Sequence, residues 1–323
     1  MSLTKKDFAS SNEVKWCPGC GDYAILSAFQ MAMAQEGLAP HDICIISGIG
    51  CSSRFPYYMN TYGVHSIHGR APAMATGVKL QKPELDVWVI TGDGDGLSIG
   101  GNHLAHIIRR NVDVNIILFN NEIYGLTKGQ YSPLSKTGLK TKSTPYGSLD
   151  RPFNFAKFAM GAGATFFART IDTDPKHMVE TFKQARAHKG CSVIEVFQNC
   201  IIFNDKVHDS YTNRLSRDEK SIRLEHGKPM IFGKEKDKGL FVKDGSFKVG
   251  VSDKADTFNY ENDYYSYLLA NVYEPMPIGI LKKESGAPTY NEDFHQQIND
   301  ETTRKESGKI EDLLFSGKTW DVS

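Results

Sequence analysis

A chain of 323 residues and 36.0 kDa carries 38 basic and 38 acidic residues, a formal net charge of zero and a pI of about 7.1. That balance argues against a generic binder of nucleic acid or of anionic membrane surfaces. No run approaches the roughly 18 apolar residues of a membrane span. The polar start MSLTKKDFASSNEVK lacks an apolar signal core, so a cytoplasmic protein is expected.

Residues 1–15 are expected to form an arm with little structure of their own. Trp16-Cys17-Pro18-Gly19-Cys20-Gly21 is a tight turn that aims two thiols at one point. By spacing alone it is open to a redox pair, half a zinc site or part of an iron–sulfur site. No βαβ start precedes it and no second C-x-x-C follows. In a long, core-rich chain, six cysteines favour metal binding over disulfides. Tyr23, Ile25, Leu26, Phe29 and Met33 recur at helical spacing across Asp22–Glu36. Ile43–Ser47 reads as a buried strand, and Cys51 and Ser52 follow in a Gly-Ile-Gly-Cys-Ser-Ser turn. His65 and His68 lie three apart before a glycine, so they read as a hydrogen-bonded loop rather than a helical metal pair. Ala71–Leu80 predicts a small-residue helix.

Val87–Thr91 and Val114–Phe119 read as buried parallel strands, with a helix over Ser98–Arg110 between them. The first ends at Gly92-Asp93-Gly94-Asp95-Gly96 and the second at Asn120-Asn121. In a βαβ unit both ends open on one sheet edge, where open α/β folds bind ligands. Asp93 and Asn121 are hard oxygen ligands that suit Mg²⁺, with a diphosphate completing the shell. The dinucleotide fingerprint fails, because Leu97 stands where a third glycine is required. A plain glycine-rich turn with a capping aspartate is the bland alternative.

Tyr131–Pro152 is a long loop rich in Ser, Thr, Lys, Gly and Pro, a candidate lid or subunit contact. Its Lys136, Lys140 and Lys142 either attract coenzyme A phosphates or form a solvated basic face. Asn154–Met160 predicts a helix, Thr165–Arg169 a strand, Asp174–His188 an amphipathic helix, and Ser192–Phe197 a strand that closes the sheet. Cys200 lies just beyond that strand, so four cysteines (Cys17, Cys20, Cys51, Cys200) occupy one turn and two strand ends. Four thiolates satisfy a [4Fe–4S] cluster. Cys44 and Cys191 sit in apolar strand contexts and read as small buried residues. The fold class is α/β, a mostly parallel doubly wound sheet over residues 16–203. Residues 204–323 read as a C-terminal extension that wraps over the domain or a partner, with Asn291–Lys309 disordered when alone.

Gly92-Asp93-Gly94 with Asn121, and the run Glu122-Ile123-Tyr124-Gly125-Leu126-Thr127-Lys128-Gly129-Gln130, resemble the β subunits of 2-oxoacid:ferredoxin oxidoreductases, which have a thiamine diphosphate-binding fold. The W-C-x-G-C-G turn, the G-C-S-S and the distant cysteine are similar too. The resemblance covers residues 13–235. It implies that Asp93, Asn121 and the Ile123 carbonyl hold Mg²⁺, and that Cys17, Cys20, Cys51 and Cys200 hold one [4Fe–4S] cluster. It implies that Gly92, Gly94, Asp95, Tyr124, Gly125, Leu126, Thr127, Cys51 and Ser52 surround thiamine diphosphate, with Thr127 donating to the diphosphate. A similar H-G-R-A stretch in the family makes His68 and Arg70 candidates for holding diphosphate or substrate charge. Lys128 suits the second carboxylate of 2-oxoglutarate, where relatives for pyruvate or branched-chain acids often have glycine. The implied reaction is oxidative decarboxylation of 2-oxoglutarate to succinyl-CoA, or its reverse, with electrons passing to ferredoxin. Pyruvate or another 2-oxoacid, and a non-redox thiamine diphosphate decarboxylase, are the alternatives. The family's α subunit supplies the glutamate that activates the cofactor, so an αβ unit, or a dimer of such units, is expected.

Overall fold

The computed structural model describes residues 3–304 and 308–320. Five consecutive buried residues, Ile43–Ser47, form β1. β2 (Tyr62–His65) pairs with β1 in parallel on one side and β3 (Asp86–Gly92) on the other. β4 (Asn115–Asn120) lies parallel beside β3. A two-residue ribbon, β5 (Ile123–Tyr124) with β6 (Gln130–Tyr131), stands outside the sheet. β7 (Phe166–Ile171) and β8 (Ser192–Phe197) continue the parallel array. β9 (Ser221–Leu224) precedes a separate three-stranded meander of β10 (Ile231–Phe232), β11 (Lys238–Lys243) and β12 (Ser246–Val251), and β13 (Met276–Lys283) follows. The main sheet runs β2-β1-β3-β4-β8-β7-β13-β9, parallel at every pair except β13 against β7.

Both faces of this sheet are buried, as a parallel sheet requires. Alternate residues divide between them. Cys44, Ile46, Val87, Val89, Ile116 and Leu118 meet α2 (Ala71–Gln81), α4 (Gly101–Arg109) and α5 (Phe155–Gly161). Ile43, Ile45, Trp88, Ile90, Ile117 and Phe119 meet α1 (Asp22–Gln35) and α6 (Pro175–Arg186). Phe29 of α1 meets Trp88 edge to face, with ring centroids 4.8 Å apart. Asn154 and Asp174 cap α5 and α6 through their side-chain oxygens. No helix among the described residues is long and apolar enough to cross a membrane.

Four expectations need correction. The N-terminal arm is docked: a 3-10 turn spans Lys5–Phe8, Phe8 is fully buried in the α1-side core, and Ala9 pairs with Met59. Burying one aromatic side chain, worth about 2–3 kcal/mol, anchors an otherwise polar run. Second, Asp93–Leu97 is itself a helical turn, α3, and the helix expected from Ser98 begins at Gly101. Acidic residues suit a first helical turn, and Ser98 (φ −88°, ψ −110°) breaks the path between the two. Third, Tyr62–His65 is an edge strand rather than loop. Fourth, Ser192–Phe197 does not close the sheet. Residues after 204 add β13 and β9 beyond β7, and Met230, Leu240, Phe258 and Leu281 share the core of Val89 and Leu118.

Three desolvated histidines, His177, His188 and His208, give this fold a pH signature. His188 faces Thr165 at 2.9 Å, and Thr165 in turn donates to Asn111. Burial first, then Lys283 nearby, lowers its pKa to about 4. His177 behaves likewise through burial and Arg223, against the opposing pull of Asp174. A histidine with a depressed folded pKa supports folding fully above its unfolded value near 6.5, and the support is lost as pH falls through 4. The buried carboxylates Asp22, Asp93, Glu122 and Asp172 have raised pKa values and pull the other way. The test is therefore a difference between variants. Between pH 6.5 and 4, the stability of His188→Gln is expected to gain on wild type by up to about 3 kcal/mol in urea unfolding. A pH-independent gap would contradict it.

Candidate active site

The parallel strands end on one edge, and that edge gathers the predicted residues. Asp93 follows β3 directly and is 2% exposed. It accepts a 2.5 Å hydrogen bond from Ser132, with no positive partner within ion-pair distance among the described residues. Burial pushes its pKa up to about 7, against the hydrogen bonds from Ser132 and from the backbone at Gly94 and Glu122. A carboxylate desolvated without a countercharge is costly, and the site therefore suits a cation. Gly94 is required by close approach: a Cβ there would lie 2.3 Å from the ring of Tyr124, whose hydroxyl donates to the Gly94 carbonyl. Neither Gly92, Gly94 nor Gly96 is left-handed, so these glycines serve packing rather than a sharp turn.

Asn121 follows β4 and is held by its own loop and by β8. Its side-chain oxygen accepts from the Ile123 N–H at 3.2 Å, and its amide nitrogen donates to Gln198 Oε1 at 2.9 Å. Glu122 takes φ +54°, which turns the backbone toward Ile123. Asn204 Nδ2 donates to the carbonyls of Asn121 and Glu122, and His208 Nε2 to that of Asn120 at 2.9 Å. An aspartate oxygen, an amide oxygen and a backbone carbonyl are donors of the kind that suits Mg²⁺ shared with a diphosphate.

The cysteines meet at the same edge. Cys17, Cys20, Cys51 and Cys200 line one cavity of about 290 Å³, with Asp22, Asn121, Gly125 and Gln198. All four are free thiols. Burial raises the pKa of Cys20 and Cys200, and that of Cys51 to about 12. Buried thiols of this kind are inert until a metal displaces their protons. Among the described residues no three of His, Cys, Asp or Glu stand close enough to clasp a single ion. Four thiols around one cavity are the number a [4Fe–4S] cluster takes, one at each of its four corners. Trp16 Nε1 donates to the Cys51 carbonyl at 2.7 Å, and Cys44 and Cys191 are buried elsewhere. A Cβ on Gly125 would stand 3.5 Å from Cys51 Sγ and 3.6 Å from Cys200 Sγ, so the backbone after Asn121 forms a wall of the thiol cavity.

Asp95 has both oxygens engaged within the chain. Oδ1 accepts from the Ile49 and Gly69 N–H groups and bonds His68 Nδ1 at 2.8 Å, while Oδ2 accepts from Thr91 at 2.6 Å. It is a post that orients His68, and Gly48 is needed beside it because a Cβ would lie 1.9 Å from Oδ2. Arg70 reaches only the carbonyls of His68 and Ile99, at 3.5 and 3.4 Å. Ser52 is buried below Gly92. Thr127 is exposed, with its hydroxyl 2.5 Å from Gln130 Oε1. Lys128, at φ +74°, and Leu126 line the thiol cavity with Lys15 and Arg54. Lys136, Lys140 and Lys142 are exposed.

Sequence reasoning passed over Ser132, Gln198, Asn204 and His208. Gln198 had a signal, since it directly follows a buried strand on the ligand edge. Ser132 had none beyond its place in a long polar loop.

Comparison with known proteins places the chain in a family. The model of the thiamine pyrophosphate enzyme C-terminal TPP-binding domain matches residues 48–196. The chain is 46% identical over 332 residues to 2-oxoglutarate oxidoreductase subunit KorB of Mycobacterium tuberculosis, covering 98% of this chain and 88% of that one. It is 47% identical over 201 residues to the β subunit of 2-oxoacid:ferredoxin oxidoreductase 1 of Aeropyrum pernix, covering 62% and 63%. A structure of 2-oxoglutarate:ferredoxin oxidoreductase from Magnetococcus marinus, with 2-oxoglutarate, coenzyme A and succinyl-CoA bound, superposes with a TM-score of 0.79 at 34% identity, covering 98% and 97%. At 46% identity over nearly its whole length to one such subunit, the chain belongs to the family of β subunits of 2-oxoglutarate and related 2-oxoacid:ferredoxin oxidoreductases.

Proposed function

We propose that the chain is the β subunit of a 2-oxoglutarate:ferredoxin oxidoreductase that interconverts 2-oxoglutarate with coenzyme A and succinyl-CoA with CO₂. The observation that carries this reading is the shared wall. Gly125, four residues beyond Asn121, backs directly onto Cys51 and Cys200. A site for decarboxylation and a site for one-electron transfer are therefore adjacent in one subunit. A simple decarboxylase has no use for the second.

Asp93, the Asn121 side-chain oxygen and the Ile123 carbonyl would hold Mg²⁺ against the diphosphate. Bound thiamine diphosphate supplies the nucleophilic carbon and the electron sink for loss of CO₂. Cys17, Cys20, Cys51 and Cys200 would ligate the [4Fe–4S] cluster, which passes electrons singly, as ferredoxin accepts them. His68, with Nδ1 fixed on Asp95, keeps Nε2 for a hydrogen bond to ligand. Arg70, which has no carboxylate partner among the described residues, offers charge to an anion. Asp95 orients and Tyr124 packs; neither needs to touch substrate. As the family resemblance implies, the α subunit would supply the glutamate that activates the cofactor, and Lys136, Lys140 and Lys142 offer charge to coenzyme A phosphates.

Lys128 is assigned to the second carboxylate of 2-oxoglutarate. A second reading has support: with Lys15 and Arg54 it rims the thiol cavity, where it would offset cluster charge. The experiment uses the αβ complex prepared without oxygen. Iron and sulfide are measured, and the visible and EPR spectra are followed on adding 2-oxoglutarate or pyruvate with coenzyme A. Cluster reduction by 2-oxoglutarate is expected, and Lys128→Gly should lower its preference over pyruvate by about 10- to 100-fold. That substitution also relieves a left-handed backbone, so lost stability will not explain the change. An unchanged preference with a shifted cluster potential selects the second reading. Absence of iron defeats the cluster assignment, and a response to pyruvate alone defeats the substrate.

A further inference from the structure

We propose that Gln198 is a positioning residue that serves both halves of the site at once, orienting Asn121 for the metal ion and tuning the cluster through Cys20. The inference rests on the proposed reading of Asn121 and the four cysteines. Gln198 directly follows β8 and is 1% exposed. Its Nε2 donates to the Asn199 carbonyl at 2.8 Å and to Cys20 Sγ at 3.2 Å, and its Oε1 accepts from Asn121 Nδ2 at 2.9 Å.

The orientation of this amide follows from its partners. A backbone carbonyl only accepts, so the end of Gln198 that faces Asn199 must be the nitrogen. The oxygen then faces Asn121 and takes the nitrogen end of that amide. What Asn121 has left is its oxygen, shared between the Ile123 N–H and a cation. One fixed carbonyl in β8's exit thus decides, through Gln198, which atom of Asn121 meets the metal. A hydrogen-bonded partner that orients a metal ligand commonly controls metal affinity by about 10- to 100-fold.

The other end of the amide acts on the cluster. A hydrogen bond to a ligating thiolate stabilises the more negative, reduced cluster and so raises its potential. Burial keeps water from substituting for that donor. A residue that only filled space would affect neither the potential nor the metal requirement.

Two variants of the αβ holoenzyme test this, read by redox titration of the cluster EPR signal and by the Mg²⁺ concentration needed for thiamine diphosphate binding. Gln198→Met removes donor and acceptor. Its cluster potential is expected to fall and its Mg²⁺ requirement to rise by about 10- to 100-fold. Gln198→Glu keeps an acceptor for Asn121 and removes the amide donor. Its potential is expected to fall with a Mg²⁺ requirement close to wild type. If Gln198→Met fails to fold or to load iron, the Glu variant decides by the same two readouts. Fully loaded variants with wild-type potential and Mg²⁺ requirement overturn the proposal. A wild-type complex without iron, or without Mg²⁺-dependent cofactor binding, defeats the underlying reading instead.

Discussion

Asp93→Asn is expected to make the metal-free chain more stable and the enzyme inactive. Asp93 is buried, its pKa is raised to about 7 mainly by burial, and only hydrogen bonds oppose that cost. The folded state therefore holds a proton that the unfolded chain releases above about pH 4. Above pH 7 the full cost of a buried charge falls on the folded state alone. An asparagine carries no charge and keeps the shape, so the metal-free variant should gain about 1–3 kcal/mol at pH 8, and little near pH 4. The same change removes the anionic ligand of a hard cation. Mg²⁺-dependent binding of thiamine diphosphate should weaken by at least about 100-fold, the upper end of what even an indirect partner costs a metal site. Urea unfolding of the metal-free chain, with and without Mg²⁺ and cofactor, reads both effects. Wild type should gain stability from the pair and the variant should not. If both respond alike, Asp93 is not the ligand. Such opposite signs mark a residue kept for function against its own stability.

The strand ends were legible because their physics is local. Apolar runs such as Ile43–Ser47 and Asn115–Asn120 are continuous and bounded by polar or glycine-rich turns, and a parallel sheet places every such end on one edge. Convergence of Cys51, Cys200, Asp93 and Asn121 follows from that alone. The W-C-x-G-C-G turn joins them through a long-range contact, Gly21 N–H to the Asn199 carbonyl at 3.2 Å. No local pattern announces that bond. Phe8 was hidden for a similar reason: one aromatic in a polar run has no periodicity, and its burial depends on where α1 lies. The strands β9 and β13 were missed because they are separated by a meander and a short helix, Asp263–Leu269, so no alternation of strand and long helix marks them. The resemblance sets Asp95 beside the cofactor. Four partners already in place, from Ile49, His68, Gly69 and Thr91, make it a post instead. Sequence spacing shows which residues share an edge, and only the hydrogen bonds show which of them are still free.

Cys51→Ala is expected to separate the two halves of the site in the opposite sense to Asp93→Asn. Removing one of four thiolates leaves an iron corner without a protein ligand. The αβ complex should lose most of its iron and its reduction of ferredoxin. Alanine is preferred to serine, whose oxygen can still bind iron. Cys51 is at the start of a 3-10 turn rather than in the sheet, and only its backbone carbonyl holds Trp16, so the fold has little reason to fail. Asp93, Asn121 and Ile123 are untouched, so Mg²⁺-dependent binding of thiamine diphosphate should persist. Cys44→Ala and Cys191→Ala provide the control. Both thiols are buried in the sheet's apolar layer, away from the cavity. Each should cost about 1 kcal/mol of packing and leave the iron content at the wild-type level. Iron retained by Cys51→Ala but lost by Cys44→Ala would move the cluster to another set of ligands. Cofactor binding lost together with iron would mean that the Gly125 wall transmits damage from one half to the other. The expected pattern is reciprocal: Cys51→Ala binds cofactor without iron, and Asp93→Asn binds iron without cofactor. Neither variant alone reduces ferredoxin, because the reaction needs electrons released on one side of Gly125 and accepted on the other.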